Sequence, residues 1–137
     1  MPDAISMIKK RFEEEGSPCN IPLLKGNSHF VAALTDKGIE VDNLSYQPLL
    51  PWEVFIETVN LLKGKGGVAD RGDAMNYKLG DSKLPVDSLE GHIAHVVYQK
   101  KVGQSVFRRV TPISGILIWA GVCKHVPKKL VLIDKTI

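Results

Sequence analysis

The chain has 137 residues, of which 44% are hydrophobic and 24% are charged. This length and composition are typical of one globular domain, residues 1–137, and exclude the low hydrophobicity and high net charge of a disordered chain. The formal net charge is only +3, so the chain as a whole is neither strongly acidic nor strongly basic.

Three features of the sequence bear on where the protein resides. Three consecutive cations, Lys9 to Arg11, stand where the apolar stretch of a signal peptide would begin. The longest apolar run, 116–123, is well short of the roughly 20 residues that a membrane span requires. Cys19 and Cys123 lack the paired spacing of a zinc site or a disulfide framework. We therefore expect a cytoplasmic protein that uses neither a membrane nor a cofactor.

The first third of the chain predicts a helix followed by a hairpin. Apolar residues recur at helical spacing over residues 3–15. Residues 17–28 contain two prolines, which favour an irregular connection. Residues 29–34 and 39–44 are strand-like, and Gly38 between them can supply the positive φ that a short hairpin loop needs.

The middle of the chain predicts an amphipathic helix and a long irregular loop. Apolar residues at helical spacing predict a second helix over 51–62. Residues 63–87 contain five glycines among charged residues, so we expect few apolar contacts and low local stability there. Loops of that length are uncommon in compact domains and often carry function, so this loop is the first place to expect a ligand.

The third helix is predicted from Asp87, its cap, to about Lys100, and a strand is predicted over 105–110. The predicted buried side of this helix is formed by Leu89, Ile93, Val96 and Val97.

Two more elements complete the expected fold. Residues 112–122 predict an internal helix with Trp119 as a large core residue, although a strand over 116–120 is an open alternative. Residues 130–133 predict a last, covered strand. The sequence therefore predicts an α+β fold in a single compact domain, with about four helices packed on a small, largely antiparallel sheet.

Charge is distributed unevenly along the chain. Residues 97–137, here called the basic segment, hold eight Lys or Arg against one Asp, whereas residues 1–96 have a balance of −4. Such an asymmetry favours an anionic partner, with nucleic acid first. The candidate contacts are Lys100, Lys101, Arg108, Arg109, Lys124, Lys128 and Lys129. If 105–110 is a strand, Arg108 and Arg109 point to opposite faces.

Other motifs are weaker. His92 and His95 lie three residues apart on the third predicted helix, so their side chains could supply two metal ligands. The helix lacks the H-E-x-x-H arrangement, and no nucleophile elbow is present. Arg71-Gly72-Asp73 matches an adhesion tripeptide only in its letters and is interpreted as a turn.

These observations favour a non-enzymatic binding or regulatory module whose basic C-terminal third contacts nucleic acid or another anion. Two alternatives remain open. One is a protein-interaction or self-associating module that uses the exposed part of Trp52 and the long loop, and the other is a small metal-dependent enzyme that uses His92 and His95. No oligomeric state is predicted.

Overall fold

The computed structural model describes residues 3–23, 27–44 and 47–133. Within them the chain forms an α+β fold with four helices and two antiparallel sheets, as the sequence predicts in class. The helices are α1 (Ala4–Glu15), α2 (Trp52–Gly64), α3 (Leu89–Val96) and α4 (Val110–Trp119). The strands are β1 (Cys19–Pro22), β2 (His29–Leu34), β3 (Gly38–Val41), β4 (Leu49–Pro51), β5 (Val68–Asp70), β6 (Cys123–Val126) and β7 (Lys129–Leu132).

The first sheet has the order β1-β2-β3-β4. The predicted hairpin is confirmed as β2 and β3, with Ala32 opposite Val41 and Leu34 opposite Ile39. Gly38 adopts the positive φ expected of it, at 151°. The sheet alternates buried and exposed residues along β3, so one face packs on the core.

The two outer strands of this sheet were not predicted. The expectation of an irregular connection over 17–28 is wrong for β1, which pairs with β2 from Cys19 to Pro22. Proline is tolerated in an edge strand, where its missing N–H costs no ladder bond. The three residues of β4 precede the second helix directly and pair with β3, too short a run for a periodic pattern to be visible.

The second sheet has the order β5-β7-β6. Strand β7 matches the predicted strand over 130–133 within one residue. Strand β5 lies in the predicted long loop, and β6, on which Lys124 and His125 are exposed, lies where the sequence predicts no strand. The hairpin of β6 and β7 turns at Pro127 and Lys128, and its tip reaches the start of the long loop.

The hydrophobic core is built by one side of each helix. The predicted stripe of α1 buries Ile8 and Phe12, and α2 buries Phe55 and Leu62 completely. Seven of the ten residues of α4 are buried, which confirms an internal helix and not the alternative strand. Trp119 lies at its end and is only half-buried, with its ring 4.8 Å from that of Phe12.

Two expectations for residues 89–112 are corrected. Residues 105–109 form no strand, because the backbone N–H of Arg109 donates to the carboxylate of Glu90 and not to a neighbouring strand. Helix α4 consequently begins at Val110, two residues earlier than predicted. On α3, Leu89 and Ile93 are buried as expected, but the prediction is wrong for Val96, the last residue of the helix, which is 46% exposed.

The long loop is more ordered than its glycines suggest. Apart from β5, it places Leu79 and Leu84 in a second small cluster with Ala94 and Val106. The backbone N–H of Leu79 donates to the Gln104 carbonyl at 3.0 Å, which ties the loop to the residues after α3. The expectation of few apolar contacts is therefore wrong for its second half. No helix in the described part of the chain has the length and apolar character needed to cross a membrane.

Candidate functional site: a basic cleft

A cleft of about 810 Å³ opens where three parts of the chain meet. One wall is formed by residues 70–85 of the long loop, the second by the residues around the start of α4, and the third by the tip of the β6–β7 hairpin. Four cationic side chains line it: Arg71, Lys83, Arg108 and Lys128. We call this the basic cleft.

Arg71 is the most firmly positioned of the four cations. Its guanidinium donates to Nδ1 of His125 at 2.9 Å and to the Lys129 carbonyl at 3.3 Å. Its backbone N–H donates to the carbonyl of Lys128 at 3.0 Å. Burial lowers the pKa of the Arg71 guanidinium, but an arginine remains positively charged at neutral pH.

Arg108 is exposed and stands on the opposite wall. Its guanidinium donates to the Thr111 hydroxyl at 3.1 Å, in the first turn of α4. Asp73 also lines the cleft. Hydrogen bonds from Asn76 and the positive charge of Arg108 both lower the pKa of the Asp73 carboxyl. That carboxylate accepts the backbone N–H groups of Met75 and Asn76 at 3.1 and 3.2 Å, so it shapes the loop that forms the cleft wall.

The remaining two cations are not paired with carboxylates in the described part of the chain. Lys83 and Lys128 are both exposed, and neither ammonium has an ion pair within residues 3–23, 27–44 and 47–133. Asp70, the second acidic residue of the lining, is held by Lys129 at 2.7 Å. The cleft therefore presents four cations, while both of its described carboxylates are already engaged.

The backbone of Lys128 is in an unusual conformation. Its φ is 65°, in the left-handed region that favours glycine or asparagine. A lysine there costs about 1 kcal/mol or more relative to glycine, and such strain persists only where the surroundings determine it. Lys128 occupies the tip of the β6–β7 hairpin in this conformation and lines the cleft there.

The buried residue Glu90 forms hydrogen bonds with two segments that line the cleft. Its carboxylate accepts the backbone N–H of Arg109 at 2.9 Å, and its own N–H donates to the Arg71 carbonyl at 3.0 Å. The residue is 2% exposed, and desolvation raises its pKa to about 7 despite the opposing hydrogen bond and charge of Arg109. A buried carboxylate thus connects the segment that carries Arg71 with the segment that carries Arg108.

The seven residues of the basic segment singled out by the sequence do not form one surface. Arg108 and Lys128 line the basic cleft, and Lys129 is paired beside it. Lys101 and Lys124 are exposed but do not line the cleft.

Arg109 and Lys100 line a second, smaller cavity of about 520 Å³. Arg109 is only 4% exposed, and its guanidinium lies 3.7 Å from the Tyr98 ring centroid and donates to the Phe107 carbonyl and to Gln47. The structure thus places Arg109 in the interior, whereas Arg108 is exposed. The sequence analysis predicted that these two arginines point to opposite faces of a strand over 105–110. They do differ in exposure, although residues 105–109 form no strand.

The histidines proposed as metal ligands are each engaged elsewhere. Nε2 of His92 lies 3.0 Å from a carboxylate oxygen of Glu57, and Nδ1 of His95 lies 2.9 Å from the Lys100 carbonyl. Within the described residues, no three His, Cys, Asp or Glu side chains are grouped closely enough to hold a metal ion.

The alternative interaction surface is partly occupied as well. The Trp52 indole is half-buried, its N–H donates to the Asp36 carbonyl at 3.0 Å, and the Lys9 ammonium lies 5.2 Å from its ring.

Cys123 is buried, and burial raises the pKa of its thiol to about 12, so that it is a poor nucleophile.

Two cationic residues of the cleft were missed by the sequence analysis. Lys83 and Arg71 lie in the long loop, outside the basic segment, and we interpreted Arg71 only as part of a turn. A signal was nevertheless present, because the length of that loop had marked it as the first place to expect a ligand. What the sequence lacked was the pairing of β5 with β7, which brings Arg71 beside Lys128.

Comparison of the chain with protein-family models, curated proteins and solved structures found no match. The function is therefore argued from the geometry and charge of the cleft alone.

Proposed function

We propose that this protein is a non-enzymatic binding module whose basic cleft takes a phosphate-bearing partner, with nucleic acid as the leading candidate. The observation that carries the proposal is the arrangement of Arg71, Lys83, Arg108 and Lys128 around one concavity. These cations come from both the long loop and the basic segment, which are distant in sequence.

The electrostatics of the cleft support an anionic ligand. Charges of one sign that line a concave surface focus the field and raise the local concentration of oppositely charged ligands. Of the two described carboxylates of the lining, Asp70 is paired with Lys129, so Asp73 is left as one negative charge against four cations and the balance of the cleft stays positive. Arginine offers planar, bidentate donors that suit phosphate oxygens, while lysine acts as a point charge.

The test is the salt dependence of binding to a fluorescent 20-nucleotide DNA. The apparent association constant should fall as salt rises, with a log–log slope of about −0.7 to −0.9 per phosphate contact. Arg108→Ala should weaken binding and make the slope shallower by about one unit, since it removes one phosphate contact.

Lys124→Ala is the matched control, because Lys124 is an exposed lysine of the same basic segment that does not line the cleft. Its slope should equal that of the unmodified protein. If the two substitutions have equal effects, binding depends on the net charge of the protein and not on the cations of the cleft. If the protein does not bind DNA even at low salt, the proposal is wrong.

Lys128 allows the fold and the function to be separated. Because its φ is 65°, Lys128→Gly should leave the free energy of unfolding unchanged or raise it by up to about 1 kcal/mol. The same substitution removes a cation of the cleft and should weaken DNA binding. Denaturant melts and binding titrations on the same samples measure both quantities. A destabilised variant with unchanged binding would contradict this account of Lys128.

A further inference from the structure

We propose that the ligand of the basic cleft is single-stranded nucleic acid, bound with one unpaired base against Tyr77 and the neighbouring phosphates on Arg108 and Lys128. This inference rests on the proposed function above and specifies the class of nucleic acid that the cleft takes.

The lining of the cleft has two kinds of surface. Besides the cations, the lining includes Met75, which is 67% exposed, and Tyr77, which is 37% exposed. A ligand that satisfies both surfaces carries phosphate groups beside a flat, largely apolar ring, which describes a nucleotide. Single-strand-binding proteins combine the same two elements, a positively charged groove and aromatic side chains on which bases stack.

Polar groups of the same loop suit the edge of a base. Asn76 and Ser82 also line the cleft close to Tyr77 in sequence; the Asn76 amide nitrogen already donates to the Asp73 carboxylate at 3.1 Å, so its carbonyl oxygen is the group offered to a base, together with the Ser82 hydroxyl. Unpaired bases are read by such groups on edges that pairing would otherwise cover. The volume of about 810 Å³ lies within the range of sites that enclose small organic ligands, well above the size of one phosphate group.

Duplex DNA fits this site less well than a single strand. In a duplex the base faces are stacked and cannot reach Tyr77 unless a nucleotide is flipped out, which costs unstacking energy. Reading of the major groove requires an exposed helix or a two-stranded ribbon. Helix α4, which borders the cleft, buries seven of its ten residues in the core, and the β6–β7 hairpin is not a free ribbon because β7 also pairs with β5.

The test compares three fluorescent probes at low salt by anisotropy, namely (dT)20, (rU)20 and a 20-base-pair duplex, and uses inorganic pyrophosphate as an unlabelled competitor. We expect (dT)20 and (rU)20 to bind more tightly than the duplex, and pyrophosphate to compete weakly. Tyr77→Ala should weaken (dT)20 binding about 5- to 150-fold, the range for loss of one base–aromatic stack. Tyr77→Phe should keep most of the affinity, whereas Tyr77→Leu, which is apolar but has no ring, should not. Thermal melts of all three variants should match the unmodified protein, because Tyr77 is exposed.

The outcomes separate this inference from the proposed function. Equal binding of single strand and duplex, with no effect of Tyr77→Ala, would overturn the single-strand inference and leave an anion-binding cleft. Pyrophosphate that competes as well as (dT)20 would overturn it in favour of a small-anion site. Failure of every probe to bind would overturn both proposals. A preference for (rU)20 over (dT)20 would support the inference and identify RNA as the strand.

Discussion

Leu84→Ala should destabilise the protein by about 2 to 5 kcal/mol, the range for truncating a large buried aliphatic residue. Leu84 is completely buried and packs in the small cluster with Leu79, Ala94 and Val106. The substitution removes apolar contacts and leaves a cavity between the long loop and the end of α3. Chemical denaturation measures the change in the free energy of unfolding, and the dependence on denaturant concentration (the m value) of the variant is compared with that of the unmodified protein.

Val86→Ala is the control for Leu84→Ala, because Val86 is an aliphatic residue of the same loop but is 42% exposed. It should change the free energy of unfolding by less than about 0.5 kcal/mol. A cost below about 1 kcal/mol for Leu84→Ala would contradict the packed loop and would return residues 71–84 to the mobile segment that their glycines suggest. The basic cleft would then lack a fixed wall, since Arg71 and Lys83 are both in that segment.

The second large effect is a loss of stability as pH rises from about 4.5 to about 7. Burial raises the pKa of Glu90 from 4.5 to about 7 in the folded protein. Between these values the folded state holds a proton that the unfolded state has released, so stability falls as pH rises. The contribution of Glu90 is complete below pH 4.5 and is lost as pH passes through about 7, and the difference is on the order of 3 kcal/mol.

Glu90→Gln isolates this contribution. Glutamine can still accept the Arg109 N–H, but it does not titrate, so the fall between pH 4.5 and 7 should be absent from the variant. All other ionisable groups are the same in the two proteins, so their contributions cancel in the difference between the two pH profiles. Denaturant melts at pH 4.5, 5.5, 6.5 and 7.5 provide the comparison. Parallel pH profiles for the two proteins would mean that the Glu90 carboxyl is not held in a desolvated site.

The helices and the central hairpin could be predicted because their patterns are local. The stripe of α1, the periodicity of α2 and the alternation in β3 each appear within a dozen residues of sequence. Strands β1 and β6 could not, because their residues are extended only through pairing with β2 and β7. For β1 the prolines favoured a loop, and an edge position made them tolerable.

The strand expected over 105–110 shows how a distant residue overrides a local pattern. The β-branched and aromatic residues there are compatible with a strand, but the carboxylate of Glu90, nineteen positions earlier, accepts the N–H of Arg109. The helix begins at the next residue. No local pattern identifies Glu90 as a buried residue, because a glutamate in the first turn of a helix is ordinarily at the surface.

The sequence predicts that the candidate site is basic, but it does not identify which residues form it. Net charge along the chain identified a basic segment that includes Arg108 and Lys128. It could not separate them from Arg109, which packs against Tyr98, or from Lys129, which pairs with Asp70. The cations contributed by the long loop depend on the register of β5 on β7, a contact between residues about sixty positions apart.

The central claim is that phosphates bind in the basic cleft, and a titration of the ¹⁵N-labelled protein with (dT)20, followed by amide chemical shifts, tests it most directly. We expect the largest shifts in residues 70–77 and 108–111 and at Lys128, with little change at Lys101 or Lys124. Perturbations centred on Lys100 and the Tyr98 cavity, or spread evenly over the exposed lysines, would contradict the assignment of binding to the basic cleft.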